Sequence, residues 1–375
     1  MESLETLLSR WVHAGLLDEL AAGRIREYEG SRDPERHLRW PALLAIAFGA
    51  LMVAGGVLLF VAAHWDRMAP AGRFLSVLGM VGAFHFAGAG FTERMPKLAT
   101  ALHGIGTLTL GAGIFLAGQI FNLEEHWPGG VMLWALGAWI GYALLRDWVQ
   151  GLLAALLTPI WLSGEWIVAT DRWRSWGGEE RVLAFGVLLL AFTYFTARRG
   201  EQDRPLRKAL MWVGGLGILP AVFAVIVTAR EHRLDVGAEG SMALLALGWA
   251  VALFAPLGLA ARLRGSRVWM NAVVAAWVWL LGIMNGRELP LYAWCALGAV
   301  GLVFWGLHEA RRERVNLGIA GFAITLLFFY FSSVMDKLGR SLGLMGLGLL
   351  FLLGGWQLER LRRRLNARIT EGGAR

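Results

Sequence analysis

A glutamate inside a long apolar stretch is the residue of this sequence best placed to do chemistry. Glu165 lies between Trp161 and Trp166, and Pro159 precedes it in the same stretch. A carboxylate in hydrocarbon is costly unless a cation or a hydrogen-bond donor lies beside it. The position predicts a group that binds a proton or a cation, or else a carboxylate that merely reaches the membrane interface beneath a tryptophan belt.

Other polar side chains fall at the same end of their apolar stretches as Glu165. Their depth predicts an ion or substrate site near the outer face, although solvated turns are the alternative for the loop residues. Together with Glu125 and His126 they include ligand types that suit zinc, but their spacing specifies no metal, and we expect neither a metal nor a cofactor. The further residues of this predicted site are His64, Asp66, Gln119, Asn122 and Glu124.

Two histidines lie deeper, in the second and third apolar stretches. His85 and His103 both fall toward the cytoplasmic third of the membrane in the orientation inferred below. Antiparallel neighbouring helices would bring the two rings together. Such a pair is either a hydrogen-bonded structural feature or a proton relay.

The elements that position these residues are predicted to be transmembrane helices. Hydrophobic residues make up 57% of the 375 positions, the mean hydropathy is +0.53, and charged residues amount to only 17%. An α-helix needs about 20 residues to cross the hydrocarbon core, so the pattern predicts an all-α, polytopic bundle of about twelve spans. The predicted spans are 41–63, 74–91, 98–121, 129–145, 148–169, 182–197, 209–229, 241–261, 268–284, 289–307, 315–334 and 341–358.

The basic residues segregate between alternate loops. One side of the membrane receives 26 of the Lys and Arg residues and the other receives 10. The positive-inside rule then predicts a bacterial inner-membrane protein with both termini in the cytoplasm. The net charge of +8 has this topological explanation, so no nucleic-acid partner is expected. Anionic lipid headgroups are the predicted partners of the basic tail at Arg360, Arg362, Arg363 and Arg364.

The chain divides into five predicted segments. Residues 1–40 read as two short amphipathic helices joined at Gly15, and residues 1–38 offer a possible surface for a protein partner. Two transmembrane halves of six helices each, 41–197 and 209–358, flank a basic cytoplasmic loop at 198–208. A basic cytoplasmic tail, 359–375, ends the chain.

Four stretches of the N-terminal half carry a family resemblance. They are LLSRWVHAGLLDELAAGRIREYE, GALMVAGGVLLFVAAHWDRM, LTLGAGIFLAGQIFNLEEHWPGGVMLWALGAW and the WLSGEW around Glu165. Over roughly residues 4 to 167 the chain resembles a bacterial membrane-protein family, domain of unknown function 2157. The chain has His64 and Phe121 where that family tends toward Asn and Tyr. The resemblance implies an integral membrane protein with a short N-terminal cytoplasmic region, and it implies no reaction.

Three classes of function remain open from the sequence. The leading hypothesis is transport, channel activity or lipid handling through the polar site near the outer face. The second is a membrane-anchored scaffold or sensor that binds a partner through the N-terminal helices. An intramembrane enzyme ranks third, because the sequence contains no HExxH motif. The sequence specifies neither the substrate nor the oligomeric state.

Overall fold

The structure, a computed structural model, is helical throughout the residues it describes. These are residues 4–32, 69–120, 126–170, 179–198, 203–231, 242–283 and 288–331, with single residues between 45 and 59 and between 348 and 356. No strand occurs among them. The helices are α1 (Leu4–His13), α2 (Glu19–Arg32), α3 (Pro70–Phe91), α4 (Pro96–Ile120), α5 (Trp127–Leu145), α6 (Trp148–Thr170), α7 (Glu179–Phe195), α8 (Pro205–Glu231), α9 (Met242–Arg264), α10 (Trp269–Ile283), α11 (Glu288–His308) and α12 (Arg312–Phe329).

Seven stretches of the described residues are long and apolar enough to cross a membrane. The predicted class, an all-helical membrane protein with several apolar helices, is confirmed to that extent. The count of about twelve stays a prediction, since α7 and α12 are not among these stretches and most of the predicted segments 41–63 and 341–358 lies outside the described residues. The seven stretches are Pro70–Phe91, Pro96–Gly118, Trp127–Leu145, Trp148–Thr170, Pro205–Thr228, Met242–Ile283 and Leu289–His308.

The longest of these stretches, 42 residues in length, is a hairpin of two helices. Gly265, with a φ of 64°, adopts a left-handed conformation that favours glycine and breaks the chain between α9 and α10. Just beyond this turn, Asn271 donates to the Thr196 hydroxyl, which follows the end of α7. Near the far end of α10, the Gly282 carbonyl accepts from Arg181 at the start of α7. Helix α10 therefore runs antiparallel to α7.

Helix α7 is the centre of the second half of the bundle. Its residues are buried around the whole circumference, as expected of a core helix rather than a lipid-facing one. Helix α8 packs closely against it, because a Cβ added at Gly214 would lie 2.3 Å from the backbone nitrogen of Phe195 and 2.4 Å from the Ala191 carbonyl oxygen. Only glycine lets the two backbones approach so closely.

The first two helices meet at the predicted break. Gly15 has a φ of 69° between α1 and α2, and Leu8 and Ala22 are fully buried. On α2 the inward position is taken by Ala22, whereas Leu20 is 78% exposed.

Candidate functional site

Glu165 on α6 is held by two hydrogen-bond donors. Its Oε2 lies 2.8 Å from Nε2 of His126, the residue directly before α5, and its Oε1 accepts from Nε1 of Trp161 at 2.9 Å. The other neighbouring tryptophan, Trp166, donates to the Glu179 carbonyl instead. The donors that a carboxylate requires at this depth are therefore present, and both carboxylate oxygens are used.

The Glu165–His126 pair lies at an open end of the bundle. The Glu165 side chain is 37% exposed and the His126 side chain 54%. An imidazole and a carboxylate in contact can exchange a proton with water and pass it between them. The sequence analysis placed His126 among the solvated turn residues and missed it as the partner of Glu165.

The other residues of the predicted outer site lie wholly or partly outside the description. Gln119 belongs to α4, but its side chain is outside the described part. Within the described residues no three His, Cys, Asp or Glu side chains group as metal ligands. Outside the described residues lie His64, Asp66, Asn122, Glu124, Arg360, Arg362, Arg363 and Arg364.

The structure brings His85 and His103 together across the interface of α3 and α4. Their Nδ1 atoms lie 3.1 Å apart, a hydrogen-bond distance. One ring must therefore donate an N–H while the other accepts through a lone pair. His103 is buried and His85 is half-buried, so the pair is largely enclosed by other residues of the protein.

A buried polar network fixes the backbone around His103. Gln150 on α6 is fully buried and donates through Nε2 to the His103 carbonyl at 3.0 Å. Thr107 donates to Oε1 of Gln150 at 2.9 Å, and the Thr107 carbonyl accepts from Nε1 of Trp134 at 2.8 Å. This network ties α4, α5 and α6 together. Sequence analysis missed Gln150, an uncharged polar residue near the start of its span.

Two cavities approach the histidine pair from opposite ends of the bundle. One, of about 460 Å³, lies among α3, α4 and α5 and extends from His126 to Val81. Val81 is four residues, about one helical turn, from His85. The other cavity, of about 770 Å³, is lined by His103 itself and by Glu93 in the α3–α4 turn. The two rings therefore lie between the cavities.

A second charged cluster lies at the end of the second half where α9, α11 and α12 meet. Arg264 donates to Oε1 of Glu309 at 2.5 Å, and Arg314 donates to Oε2. The indole N–H of Trp305 also donates to Oε1 at 2.9 Å, and both guanidinium groups lie about 5 Å from the Trp305 ring centroid. The Arg314 side chain is only 1% exposed.

The electrostatics of this cluster favour the ionised carboxylate. Burial acts to raise the pKa of Glu309, but the hydrogen bonds from Trp305 and Arg264 and the charge of Arg314 outweigh it and lower that pKa to about 2. The sequence analysis counted both arginines only as loop charges. For a charged residue at the end of an apolar stretch, the sequence does not show whether the side chain points to water or into the protein.

The comparison with protein families agrees with the helices of the first half. The model of domain of unknown function 2157, a predicted membrane protein, matches residues 9–151. The match to this family covers α3, α4, α5, the His85–His103 pair and Gln150. It ends before Glu165, so the WLSGEW stretch lies beyond it. Neither a curated protein nor a solved structure matches the chain.

Proposed function

We propose that the chain is a multi-pass protein of the bacterial inner membrane, with about twelve spans and both termini in the cytoplasm. The charge segregation between alternate loops supports this orientation. The basic turns after α3, α5, α7, α9 and α11 would all then face the cytoplasm, because consecutive spans cross in opposite directions. Glu165 and His126 would lie at the outer end.

We further propose that the first half transports protons, or a small solute together with protons. The observation that carries this proposal is the His85–His103 pair between two cavities that approach it from opposite ends. Ionisable groups at membrane depth are costly and mark ion or proton pathways more often than they serve packing alone. A site between two cavities that face opposite ends is also compatible with alternating access.

In the proposed route, the Glu165–His126 pair binds a proton at the outer end and the histidine pair receives it inside. An imidazole can accept a proton on one nitrogen and release another from its second nitrogen. The Nδ1–Nδ1 hydrogen bond requires that at least one of these two nitrogens carry no proton. When both imidazole rings are positively charged, both nitrogens carry a proton, so the hydrogen bond is lost and the rings separate. Release then occurs through the cavity beside Glu93, toward the basic turns.

Proton flux into liposomes tests the proposal. The purified protein is reconstituted around a trapped pH dye, and a pH gradient is imposed with potassium and valinomycin present. We expect acidification faster than in protein-free vesicles, and a rate lowered at least about tenfold by Glu165→Gln, which removes the titrating group.

The matched control is Glu180→Gln, an exposed glutamate at the start of α7 on the same side of the bundle as Glu165. This variant should leave the flux unchanged. An unaltered flux in Glu165→Gln would exclude this carboxylate from the route. A wild-type protein without flux would exclude the transport of protons alone.

The N-terminal helices favour a second function, that of a scaffold or sensor. Leu16, in the turn before α2, and Leu20, in its first turn, are 74% and 78% exposed, and together they form an apolar patch of the kind that marks contact surfaces. Deleting residues 1–38 should then abolish co-purification of a protein partner while the remaining chain still folds. A partner retained by the shortened chain would exclude this surface.

A further inference from the structure

A long apolar groove runs between α10 and α11, away from the histidine pair. Its volume is about 620 Å³, and its walls are aliphatic and aromatic over almost the whole length. Gly301 is open with respect to the described residues, since a Cβ added there would meet none of their atoms within 4 Å. The groove therefore has room for a slender apolar occupant.

Two tryptophans join the helices along this groove. Trp277 donates its indole N–H to the Trp294 carbonyl at 3.1 Å, and Trp294 donates in return to the Trp277 carbonyl at 3.1 Å. These reciprocal bonds fix the separation of α10 and α11, and both indole rings line the groove. Its width is thus set by the protein and does not depend on an occupant.

The groove has the length of one membrane leaflet. Along α10 its lining residues run from Trp269 to Leu280, about 16 Å at 1.5 Å per residue, and along α11 they run from Trp294 to His308, about 21 Å. One leaflet with its headgroup region is about 20–22 Å thick. Half of a hydrocarbon core of about 30 Å is about 15 Å. A transmembrane partner helix would extend beyond the groove into the other leaflet, whereas one acyl chain fills a single leaflet.

One end of the groove is basic. Arg267, which is exposed, lies two residues before Trp269, and His308 lines the opposite wall. Behind the lining residue Trp305 lies the cluster of Arg264, Glu309 and Arg314, two guanidinium groups for one carboxylate. The end that reaches the membrane surface therefore has a net positive charge, which attracts an anionic headgroup.

We propose that this groove binds one acyl chain of an anionic phospholipid from the leaflet on the basic side, with the phosphate at Arg267 and His308. The combination of an apolar channel one leaflet long and a basic mouth supports a lipid over a second protein. This site lies in the second half of the chain and is independent of the proposed proton route.

Native mass spectrometry tests the acyl-chain part of the proposal. The detergent-solubilised protein is titrated with phosphatidylglycerol and, separately, with phosphatidylcholine. We expect one phosphatidylglycerol to bind more tightly than any phosphatidylcholine, and Gly301→Phe to abolish that binding by filling the groove.

Gly258→Phe is the matched control. A Cβ added at Gly258 would likewise meet no atom of the described part of the chain within 4 Å, and Gly258 lies on α9 about as far from the basic end as Gly301 lies on α11. This variant should bind phosphatidylglycerol like the wild type. Equal losses in the two variants, or equal binding of the two lipids by the wild type, would overturn the proposal.

A charge variant tests the headgroup part. Arg267→Gln should weaken phosphatidylglycerol binding about fivefold, the usual effect of one basic residue at a membrane surface, without changing phosphatidylcholine binding. Arg94→Gln, an exposed arginine in the α3–α4 turn, should have no effect. A dimer that dissociates in Gly301→Phe, with no bound lipid in the wild type, would show that a second copy of the chain fills the groove and would overturn the assignment.

Discussion

The imidazole ring of His103 lies against Gly88 of the neighbouring helix, so close that an added Cβ would come within 2.8 Å of Cε1. His85 lies in the same way against Gly106, where an added Cβ would be 2.8 Å from Cδ2. Each histidine ring thus packs against the glycine that lies three residues after the other histidine. The two glycines set the helix separation that allows the Nδ1–Nδ1 hydrogen bond.

Gly88→Ala should destabilise the protein by about 1–3 kcal/mol, the usual effect of an added methyl group in a packed interface. Gly90→Ala on the same helix should cost nothing, because the added Cβ would meet no atom within 4 Å among the residues that the structure describes. Thermal unfolding midpoints in detergent compare the two variants. If Gly90→Ala lowered the midpoint as much as Gly88→Ala, the close packing of the His103 ring would be refuted.

Glu309→Gln should destabilise the protein far more than a neighbouring glutamate variant. It leaves the buried guanidinium groups of Arg264 and Arg314 without a counter-charge, and breaking a buried ion pair typically costs about 3–5 kcal/mol. Glu313→Gln loses only a partly exposed contact to Arg198 at 4.0 Å and should cost less than about 1 kcal/mol. Chemical unfolding of both variants measures the difference, and similar costs would argue against the buried cluster.

The same carboxylate predicts a pH dependence of stability. The pKa of Glu309 is lowered from an ordinary value of 4.5 to about 2 in the folded state, so its contribution is fully present above pH 4.5 and is lost as the pH falls toward 2. The difference in unfolding midpoint between the wild type and Glu309→Gln should therefore narrow over that interval. A difference that stayed constant from pH 6 to pH 2 would contradict the ionised pair.

Cysteine labelling tests the proposed orientation. Cys295 is the only cysteine of the chain, so Cys295→Ala provides a background without thiols. In that background, Arg94→Cys should react with a membrane-impermeant maleimide only from the cytoplasmic side, and Glu180→Cys only from the outside. Labelling of both positions from the same side would contradict the prediction that an odd number of spans lies between them.

Much of the fold could be predicted from the sequence because lipid imposes a simple pattern. Backbone amides in hydrocarbon must bond internally, so apolar stretches such as those that became α5 and α6 are helices whatever their detailed packing. The pairing of His85 with His103 was also predictable, since adjacent spans are antiparallel and the two residues lie at similar depth. The turn at Gly265 follows from the charged residues between two apolar runs.

The partners of charged residues could not be predicted in this way. The ion cluster of Arg264, Glu309 and Arg314 depends on how α9, α11 and α12 rotate about their axes, which hydrophobic periodicity does not fix in helices that are apolar on every side. The same rotation decides that His126, rather than another loop residue, reaches Glu165. Glu309 lies in a turn, where the sequence alone suggests a solvated side chain.

Proton flux through a His103→Gln protein tests the central claim most directly. Gln retains hydrogen-bonding groups near the interface of α3 and α4 but cannot carry a proton at physiological pH. The comparison variant is His308→Gln, an exposed histidine at the end of α11 outside the proposed route. We predict that flux falls at least about tenfold in His103→Gln and is unchanged in His308→Gln. A His103→Gln protein that is folded and carries protons at the wild-type rate would contradict the account.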